Sequence, residues 1–446
     1  MRRVLWRQLR DWSAKQPISM HVPGHKNGTI GDMTFVQPQF DVTEITGFDD
    51  LHQPEAVLKE SMDCVAHHPD YDAFYLVNGT TSGILAVIHA FQSLPGDVVL
   101  ARNVHKSVFH ALDLGAQPAE ILPTMTDAQT FQYVSPDVAS LSQLSPKLGV
   151  VTYPNYYGQT FNIEYTVEQF HAQGCPILVD EAHGAHFDLA GFPASALNVG
   201  ADYVVQSFHK TLPSLTMSSV LFIHKDAPQR DDVIRLLQTF QSSSPSYLLM
   251  ASLEAASDFY HTYDSTLFFE RRTLLLDTLQ TYGLHVKEMD DPLKVLVYHP
   301  NMTGYALQEV MERAGIYVEL ADTHHVLWVL PLWHAGDSYP FDQLLTRLKG
   351  LDLTTQHDDK PAEPQALYTG AGRYEPTQVE NSYWIPFDVA HGKVLAQHLV
   401  LYPPGIPTML KGEKVTPSMI KLMSKWDDSH LRVEGLHKGK IKVKDD

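Results

Sequence analysis

Short apolar runs rich in β-branched residues alternate with helix-like stretches between about residues 70 and 225 of the chain. The runs are DVVLARN (97–103), KLGVVTYPN (147–155), CPILVDEAH (175–183), ADYVVQSFHK (201–210) and SSVLFIHK (218–225). This alternation predicts an α/β fold with a mostly parallel sheet covered by helices. Ligands bind beyond the carboxyl ends of the strands in such sheets, so the polar residues that end the runs are expected to converge on one site. These residues are Arg102, Asn103, His105, Tyr153, Asn155, Asp180, His183, Ser207, His209 and Lys210.

Changes in composition divide the rest of the chain. Residues 1–60 are rich in Gly, Pro and Asp and lack helical periodicity, which predicts an ordered arm, followed by the sheet in a large domain over 61–265. Helical spacing and then the strand-like KVLVYHP and HVLWVLPL predict a small α/β domain over 266–355. The polar stretch TTQHDDKPAEPQ (354–365) is the linker candidate, and a C-terminal domain is expected over 366–446.

The charge and the sparse cysteines limit the function classes. A net charge of −19, from 33 Lys and Arg against 52 Asp and Glu, disfavours nucleic acid and favours small cations, although acidity could serve solubility alone. Neither the 2 cysteines nor the 24 scattered histidines have metal-ligand spacing, so no metal is expected. DEAH at 180–183 lacks the upstream phosphate loop of a helicase. No signal peptide or membrane-spanning run is evident, so we expect a cytoplasmic protein without a membrane partner.

A loop with small polar residues precedes an apolar helical stretch. Gly79, Thr80, Thr81 and Ser82 come directly before ILAVIHAF, so their amides and hydroxyls could hold a phosphate. A simple N-cap is the alternative for this loop taken alone.

Three strand ends carry residues that suit the same cofactor. Asp180 ends an apolar strand, where a buried carboxylate needs a cationic partner such as a protonated pyridine nitrogen, although an N-cap or a structural ion pair is also open. Lys210 could form a Schiff base with an aldehyde, with Ser207 and His209 donating to a phosphate. His105 could stack on an aromatic ring or be a core histidine. The order loop, His, Asp, Lys favours pyridoxal 5'-phosphate.

With these residues the chain resembles the fold type I pyridoxal-phosphate enzymes, and specifically the bacterial-type ornithine/lysine/arginine decarboxylase family. The resemblance covers nearly all of the chain, and its motifs are rarely found together elsewhere. They are HVPGHKNG (21–28), DVTEITGFDDLHQP (41–54), VNGTTSGI (77–84), ARNVHKS (101–107), VDEAHGAH (179–186), QSFHKTL (206–212), SSSPSYLLMASLE (242–254) and YPPGIPTMLKGE (402–413).

The resemblance implies a role for each matching residue. Lys210 would be the Schiff-base lysine, Asp180 the partner of the pyridine nitrogen and His105 the residue stacked on the ring. The remaining cofactor-binding residues would be Gly79, Thr80, Thr81, Ser82, His183, Ser207 and His209. In the family a hydroxyl from a neighbouring subunit reaches the phosphate, and Ser243 matches it, which implies a homodimer or higher homo-oligomer with shared sites.

Two departures from the family pattern limit what can be carried over. The large members carry an N-terminal wing that drives decamer formation, whereas here the PGHK arm begins by residue 21, so a short form without the wing is expected. The family more usually has arginine where Lys393 stands, so no role is carried over to that side chain.

The implied reaction is decarboxylation of a basic L-amino acid, arginine, lysine or ornithine, to CO2 and an amine that is a polyamine precursor. Lys210 or His209 would return the proton to Cα. Glu413, Asp49 and Asp50 are candidates to bind the distal cation of the substrate. An aminotransferase or lyase of the same fold stays open, with Arg102 as the one obvious carboxylate clamp among the strand ends, as does a silent homologue that acts by binding a partner.

Overall fold

A computed structural model of the protein describes residues 4–353, 367–376, 381–401, 406–428 and 433–445. The predicted linker, 354–365, and residues 402–405 of the YPPGIP motif lie outside these ranges. The α-helices within them are α1 Val4–Ser13, α2 Val57–Val65, α3 Thr80–Ala90, α4 Lys106–Leu114, α5 Ile163–Ala172, α6 Phe208–Thr211, α7 Arg230–Phe240, α8 Tyr247–Thr262, α9 Thr266–Thr281, α10 Gly304–Arg313, α11 Phe341–Lys349 and α12 Pro417–Asp428.

The strands of the described residues are short. They are β1 Ile18–Met20, β2 Tyr71–Leu76, β3 Asp97–Ala101, β4 Ala119–Leu122, β5 Thr124–Thr126, β6 Tyr133–Pro136, β7 Pro146–Thr152, β8 Ile177–Asp180, β9 Tyr203–Gln206, β10 Ser219–His224, β11 His285–Glu288, β12 Lys294–Tyr298, β13 Ile316–Val318, β14 Leu320–Ala321, β15 Val326–Val329, β16 Gly372–Tyr374, β17 Ser382–Pro386, β18 Leu399–Leu401, β19 Ile406–Met409, β20 Val433–Glu434 and β21 Lys440–Lys444.

Eight strands form the central sheet in the order β16-β4-β3-β7-β8-β9-β10-β2. The five from β4 to β9 are parallel, while β10 runs antiparallel to both β9 and β2, and β16 is antiparallel to β4. The predicted α/β fold with a mostly parallel sheet is confirmed. Because β4 lies on one side of β3 and β7 on the other, the strand order reverses at β3, and in open α/β sheets ligands bind beyond the carboxyl ends at such a reversal.

The central strands are apolar because helices cover both faces of the sheet. Every residue of β8 and β9 is buried, which is typical of a parallel strand enclosed on both sides. The helices α3, α4 and α5 lie between successive strands of the sheet. The polar residues that follow the parallel strands are thereby brought to one edge of the sheet.

A second, antiparallel sheet in the order β11-β12-β15-β14 belongs to the segment predicted as the small domain. The predicted arm is fastened to this segment, since β1 pairs in parallel with β13 from Ile18↔Ile316 to Met20↔Val318. The Tyr339 hydroxyl also donates to the Ser19 carbonyl over 3.0 Å. The arm is therefore held to this segment by backbone pairing and by a side-chain hydrogen bond.

The C-terminal segment has its own apolar cluster, which includes Leu395, Met409, Met423 and Trp426. Its strands form a pair, β17-β21, and a sheet in the order β19-β18-β20. One strand of the predicted C-terminal domain, β16, instead pairs with β4 at the edge of the central sheet. This strand joins the C-terminal segment to the large domain.

No helix in the described ranges is long and apolar enough to cross a membrane. The same residues contain no group of three or more His, Cys, Asp and Glu side chains arranged to hold a metal ion.

Candidate active site

The start of α3 is shaped for an anion. Gly79 stands before the first helical residue with φ 75°, a conformation that favours glycine, and no side chain caps the helix. The first amides of a helix lack partners within it and attract negative charge. The Ser82 hydroxyl donates to the Gly79 carbonyl over 2.9 Å, and the Ser207 hydroxyl donates to Thr80 Oγ1 over 3.4 Å. The predicted phosphate loop, with the half-buried Thr81, and the end of β9 thus meet.

Asp180 and Lys210 form an electrostatically coupled pair. Asp180 ends β8, is 4% exposed, and accepts a hydrogen bond from the Ala182 amide over 3.2 Å. Burial raises the pKa of Asp180, against the positive charge of Lys210 and that hydrogen bond. Burial lowers the pKa of Lys210, against the negative charge of Asp180. A buried carboxylate with one backbone donor can accept a further cationic partner.

His183 binds the amine of Lys210. The distance from Lys210 Nζ to His183 Nε2 is 3.0 Å. Burial, then the charge of Lys210, lowers the pKa of His183 well below its ordinary value, so we assign a neutral ring that accepts at Nε2 and carries its proton on Nδ1. That buried Nδ1 finds no hydrogen-bond partner in the part of the chain that the structure describes. The Tyr156 ring packs edge-on against His183 at 4.5 Å between centroids.

His105 caps α4 and presents an exposed ring. Its Nδ1 accepts from the Ser107 amide over 3.2 Å, which leaves the proton on Nε2. Crowding by surrounding protein, followed by the positive charge of Lys210, lowers the pKa of His105 to about 4. A neutral imidazole near Lys210 is suited to stack on the ring of a ligand held there.

His209 is fixed by backbone contacts on both sides. Its Nδ1 donates to the Ser218 carbonyl over 2.9 Å. The backbone carbonyl of His209 accepts from the Gly24 amide of the PGHK motif over 2.8 Å. Burial is the main reason that the pKa of His209 falls to about 4. Only Nε2 of this ring is then left to meet a ligand.

The serine run lies next to the phosphate loop of its own chain. The Ser242 amide donates to Asn78 Oδ1 over 3.1 Å, and Asn78 directly precedes Gly79. Ser243 itself is exposed, between the end of α7 and the start of α8.

The acids predicted to bind the distal cation have structural contacts. Asp49 accepts from the Ala56 amide over 2.6 Å and from two further amides before and within α2, and Asp50 accepts from the His52 amide over 2.8 Å. Each carboxylate stabilises a local turn of the arm.

Glu413 is the acid whose contacts differ most from the sequence expectation. Its Oε1 accepts from Arg102 Nη2 over 3.1 Å, and its Oε2 accepts from the Leu410 amide over 2.8 Å. Arg102 is fully buried and also donates to the Gly370 carbonyl over 3.0 Å. Glu413 therefore neutralises a buried guanidinium, and its role in binding the distal cation of a substrate stays a prediction.

Four residues without a predicted role line the junction of the arm, the large domain and the small sheet. The Tyr156 hydroxyl donates to Glu319 Oε1, and the Val22 amide donates to Glu319 Oε2 over 2.9 Å. Lys26 Nζ donates to the carbonyls of His21 and Val329 over 2.7 and 2.8 Å. The fourth, Lys294, is fully buried at the start of β12. In the sequence, Lys26 stands within the PGHK motif, whereas nothing marks Lys294 or Glu319.

Comparison with known proteins gives the family. The profile described as "Orn/Lys/Arg decarboxylase, major domain" matches residues 4–271, and the profile described as "Orn/Lys/Arg decarboxylase, C-terminal domain" matches residues 355–438. The chain belongs to the ornithine/lysine/arginine decarboxylase family. The predicted resemblance is thereby confirmed.

Individual relatives agree with this membership. The uncharacterized protein YaaO of Bacillus subtilis is 36% identical over 99% of this chain and 98% of its own length. The arginine decarboxylase of the same organism is 30% identical over 97% of this chain and 95% of its own length. The solved structure of lysine decarboxylase A from Pseudomonas aeruginosa superposes with a TM-score of 0.73 at 15% identity, covering 98% of this chain and 80% of that one. The fold is that of the fold type I pyridoxal-phosphate enzymes, as predicted.

The residues of the site fit pyridoxal 5'-phosphate. The uncapped start of α3 offers donors for a phosphate, and the buried Asp180 has one backbone donor and lacks a full cationic partner. The amine of Lys210 is bound by a neutral imidazole, and the buried Nδ1 of His183 remains without a partner among the described residues. These features match a phosphate, a pyridine nitrogen and a carbonyl carbon in one ligand.

Proposed function

We propose that the protein is a pyridoxal-phosphate-dependent decarboxylase of a basic L-amino acid, which releases CO2 and the corresponding amine. The observation that carries the proposal is that Asp180 and His105 both lie near Lys210, beside the uncapped start of α3, in a member of the decarboxylase family. The names of relatives, arginine decarboxylase and lysine decarboxylase, support a basic substrate.

Each group of the cofactor would have a place. Asp180 would hold the pyridine nitrogen, the ring of His105 would lie against the cofactor ring, and Lys210 would hold the aldehyde carbon. The phosphate would be bound by Gly79, Thr80, Thr81, Ser82, Ser207 and His209, with His183 beside the ring. When bound, the cofactor supplies the electron sink for the charge that develops at Cα.

The residues around Lys210 would control proton transfer. The lowered pKa of Lys210, caused chiefly by burial, favours a neutral amine, and His183 holds that amine in place. After CO2 leaves, Lys210 would return a proton to Cα, and His209 is the second candidate. The carboxylate bond must stand perpendicular to the ring plane for CO2 to leave, so side chains that orient the carboxylate and exclude water determine the reaction.

An aminotransferase is a weaker proposal for a structural reason. Its carboxylate clamp would have to be Arg102, whose guanidinium is buried and bound to Gly370 and Glu413. If the protein formed a keto acid from its amino-acid substrate without releasing CO2, the aminotransferase would become the favoured proposal.

The decisive experiment combines absorbance with product analysis. The protein loaded with pyridoxal 5'-phosphate should show a visible band and release CO2 from arginine, lysine or ornithine. Lys210→Ala should lose both the band and turnover. Lys225→Ala is the matched control, because Lys225 follows the neighbouring strand β10 but only donates to the Pro69 carbonyl, so the band and turnover should persist. A Lys210→Ala protein that keeps band and turnover would contradict the proposal.

We further propose that the active species is a cytoplasmic homodimer or higher homo-oligomer with shared sites. The exposed serine run beside Asn78 supports it, because a surface residue next to the phosphate loop can reach a neighbouring subunit. Subunit mixing, described in the Discussion, tests the shared site.

A further inference from the structure

Lys294 is a buried cation without a hydrogen-bond partner among the described residues. It is 0% exposed, it opens β12, and its Nζ is bonded to no atom in that part of the chain. Burial lowers the pKa of Lys294, against the negative charges of Asp291 and Glu319, so two carboxylates lie near the amine although neither is hydrogen-bonded to it. A buried amine whose N–H groups are unused is costly, and an oxygen of a negatively charged ligand would accept from it.

Contacts connect Lys294 with the wall of the active site. A Cβ on Gly158 would lie 2.5 Å from Lys294 Cγ, so the lysine stem packs directly on the backbone of the loop after β7. The same loop carries Tyr156, whose ring packs on His183, which in turn binds the amine of Lys210. The charge of Lys294 also contributes to lowering the pKa of Lys210, after burial and against Asp180.

The nearby carboxylates have other donors, although Oδ2 of Asp291, like the amine of Lys294, is buried without a hydrogen-bond partner among the described residues. Glu319 accepts from Tyr156 and from the Val22 amide. Asp291 accepts at Oδ1 from His186 over 2.9 Å and from the Leu293 amide. Asp180 would be used by the pyridine nitrogen under the proposed function.

Lys26 is a second buried lysine at this junction, and its amine has hydrogen-bond partners. Lys26 is as buried as Lys294, but its Nζ donates to two backbone carbonyls, one of them on Val329, which pairs with Lys294 in the small sheet. Lys294 differs from Lys26 because its Nζ donates to no atom among the described residues.

We propose that Lys294 binds the α-carboxylate of the substrate. This inference rests on the proposed function, which requires a carboxylate to enter the site beside Lys210. A carboxylate taken out of water needs a charged donor, and Arg102, the buried arginine at the strand ends, is already bound to Glu413. By holding the carboxylate, Lys294 would determine which Cα bond stands perpendicular to the ring plane.

The test compares ligands with and without a carboxylate on the cofactor-loaded protein. For a lysine-type substrate, 6-aminohexanoate keeps the carboxylate and the distal amine but lacks the α-amine, so it binds without reacting, and pentylamine lacks the carboxylate as well. Guanidino analogues serve if arginine is preferred. Titration calorimetry of Lys294→Met should show carboxylate-ligand affinity reduced about 10- to 100-fold, as expected when a hydrogen bond to a charged group is lost, with pentylamine affinity unchanged.

Two further variants keep the result interpretable. Lys26→Met removes an equally buried lysine whose donors serve the backbone, so it should weaken both ligands alike or neither. Lys294→Gln keeps a polar side chain if the Met variant does not fold, and it should show the same loss confined to the carboxylate ligand.

Three outcomes would overturn the inference. The first is that the Lys294 variants lose affinity for both ligands by the same factor. The second is that they bind the carboxylate ligand with unchanged affinity. The third is a loss of affinity for pyridoxal 5'-phosphate with the ligand ratio unchanged, which would place Lys294 against the cofactor phosphate. The proposed function is judged separately, by CO2 release and the band that depends on Lys210, so either can fail alone.

Discussion

Glu413 is the residue for which the sequence and the structure suggest different roles, and a single substitution separates them. In the structure it neutralises the fully buried Arg102. Removing one partner of a buried ion pair leaves an uncompensated charge, so Glu413→Gln should lower the free energy of unfolding by about 3–5 kcal/mol. Denaturant unfolding measures this change. KM for the amino acid should change little in the protein that remains folded.

An exposed pair of the same type provides the control for Glu413→Gln. Glu309 and Arg313 lie one turn apart on α10, with side chains 68% and 61% exposed. Glu309→Gln should therefore change the free energy of unfolding by less than about 1 kcal/mol. A Glu413→Gln protein of normal stability with a strongly raised KM would restore the role expected from the sequence.

Three residues that the sequence predicted to converge lie at the ends of buried strands. Asp180 ends β8, and Ser207 and Lys210 follow β9. A parallel sheet brings the carboxyl ends of its strands to one edge, so their convergence does not depend on the small sheet or the arm. Lys294 and Glu319 reach the same junction only because the small sheet docks on the large domain. A lysine at the head of KVLVYHP predicts a solvated strand end, so its burial could not be inferred from local sequence.

At the scale of elements, the turn into α3 depends on one glycine. Gly79 has φ 75°, and no atom lies within 4 Å of a Cβ placed there, so Gly79→Ala adds backbone strain without a clash. We expect about 1–3 kcal/mol of destabilisation, because Gly79 combines φ 75° with ψ 173°, a region that essentially only glycine adopts. If the uncapped amides bind the phosphate, relief of that strain will move them, and affinity for pyridoxal 5'-phosphate should fall as well. Equilibrium dialysis of the cofactor measures this loss.

Gly283 is a matched control for the turn. It follows α9 with φ 85°, and a Cβ there would also meet no atom within 4 Å. Gly283→Ala should also cost stability, because a positive φ strains a residue that carries a Cβ, yet it should leave cofactor affinity unchanged. Equal loss of cofactor affinity in both variants would mean that general destabilisation, not the turn, is responsible.

The strands show which parts of the topology are readable from sequence. The runs at 97–103, 175–183 and 201–210 each contain a strand of the parallel core, because enclosed parallel strands are continuously apolar. The antiparallel direction of β10 has no local signal. The three-residue β16 pairs with β4 across some 250 positions of sequence, and a run as short as Gly372–Tyr374 carries no strand pattern of its own.

On the scale of the whole molecule, the candidate site depends on three segments that are distant in sequence. The Gly24 amide of the arm donates to His209, and Lys26 of the arm donates to Val329. The segment of the small sheet contributes Lys294 and Glu319, and the large domain contributes the residues proposed to bind the cofactor. Pairing of β1 with β13 joins the arm to the segment that carries the small sheet. The backbone beside Lys210 is thus in contact with the arm, and the arm with the small-sheet segment.

Subunit mixing tests whether the site also depends on a second copy of the chain. We expect Lys210→Ala and Ser243→Asp homo-oligomers to be inactive, the first because the cofactor lysine is lost and the second because a carboxylate repels the phosphate. In a mixed dimer with shared sites, Lys210 of one subunit meets the intact Ser243 of the other, so one of the two sites has a full set of residues. Half of the dimers in an equal mixture are mixed, and activity should recover to about a quarter of the wild-type value. The structure also allows the opposite outcome, because Ser242 bonds to Asn78 of its own chain. No recovery, with subunit exchange verified by mass spectrometry, would show that each serine serves the site of its own chain.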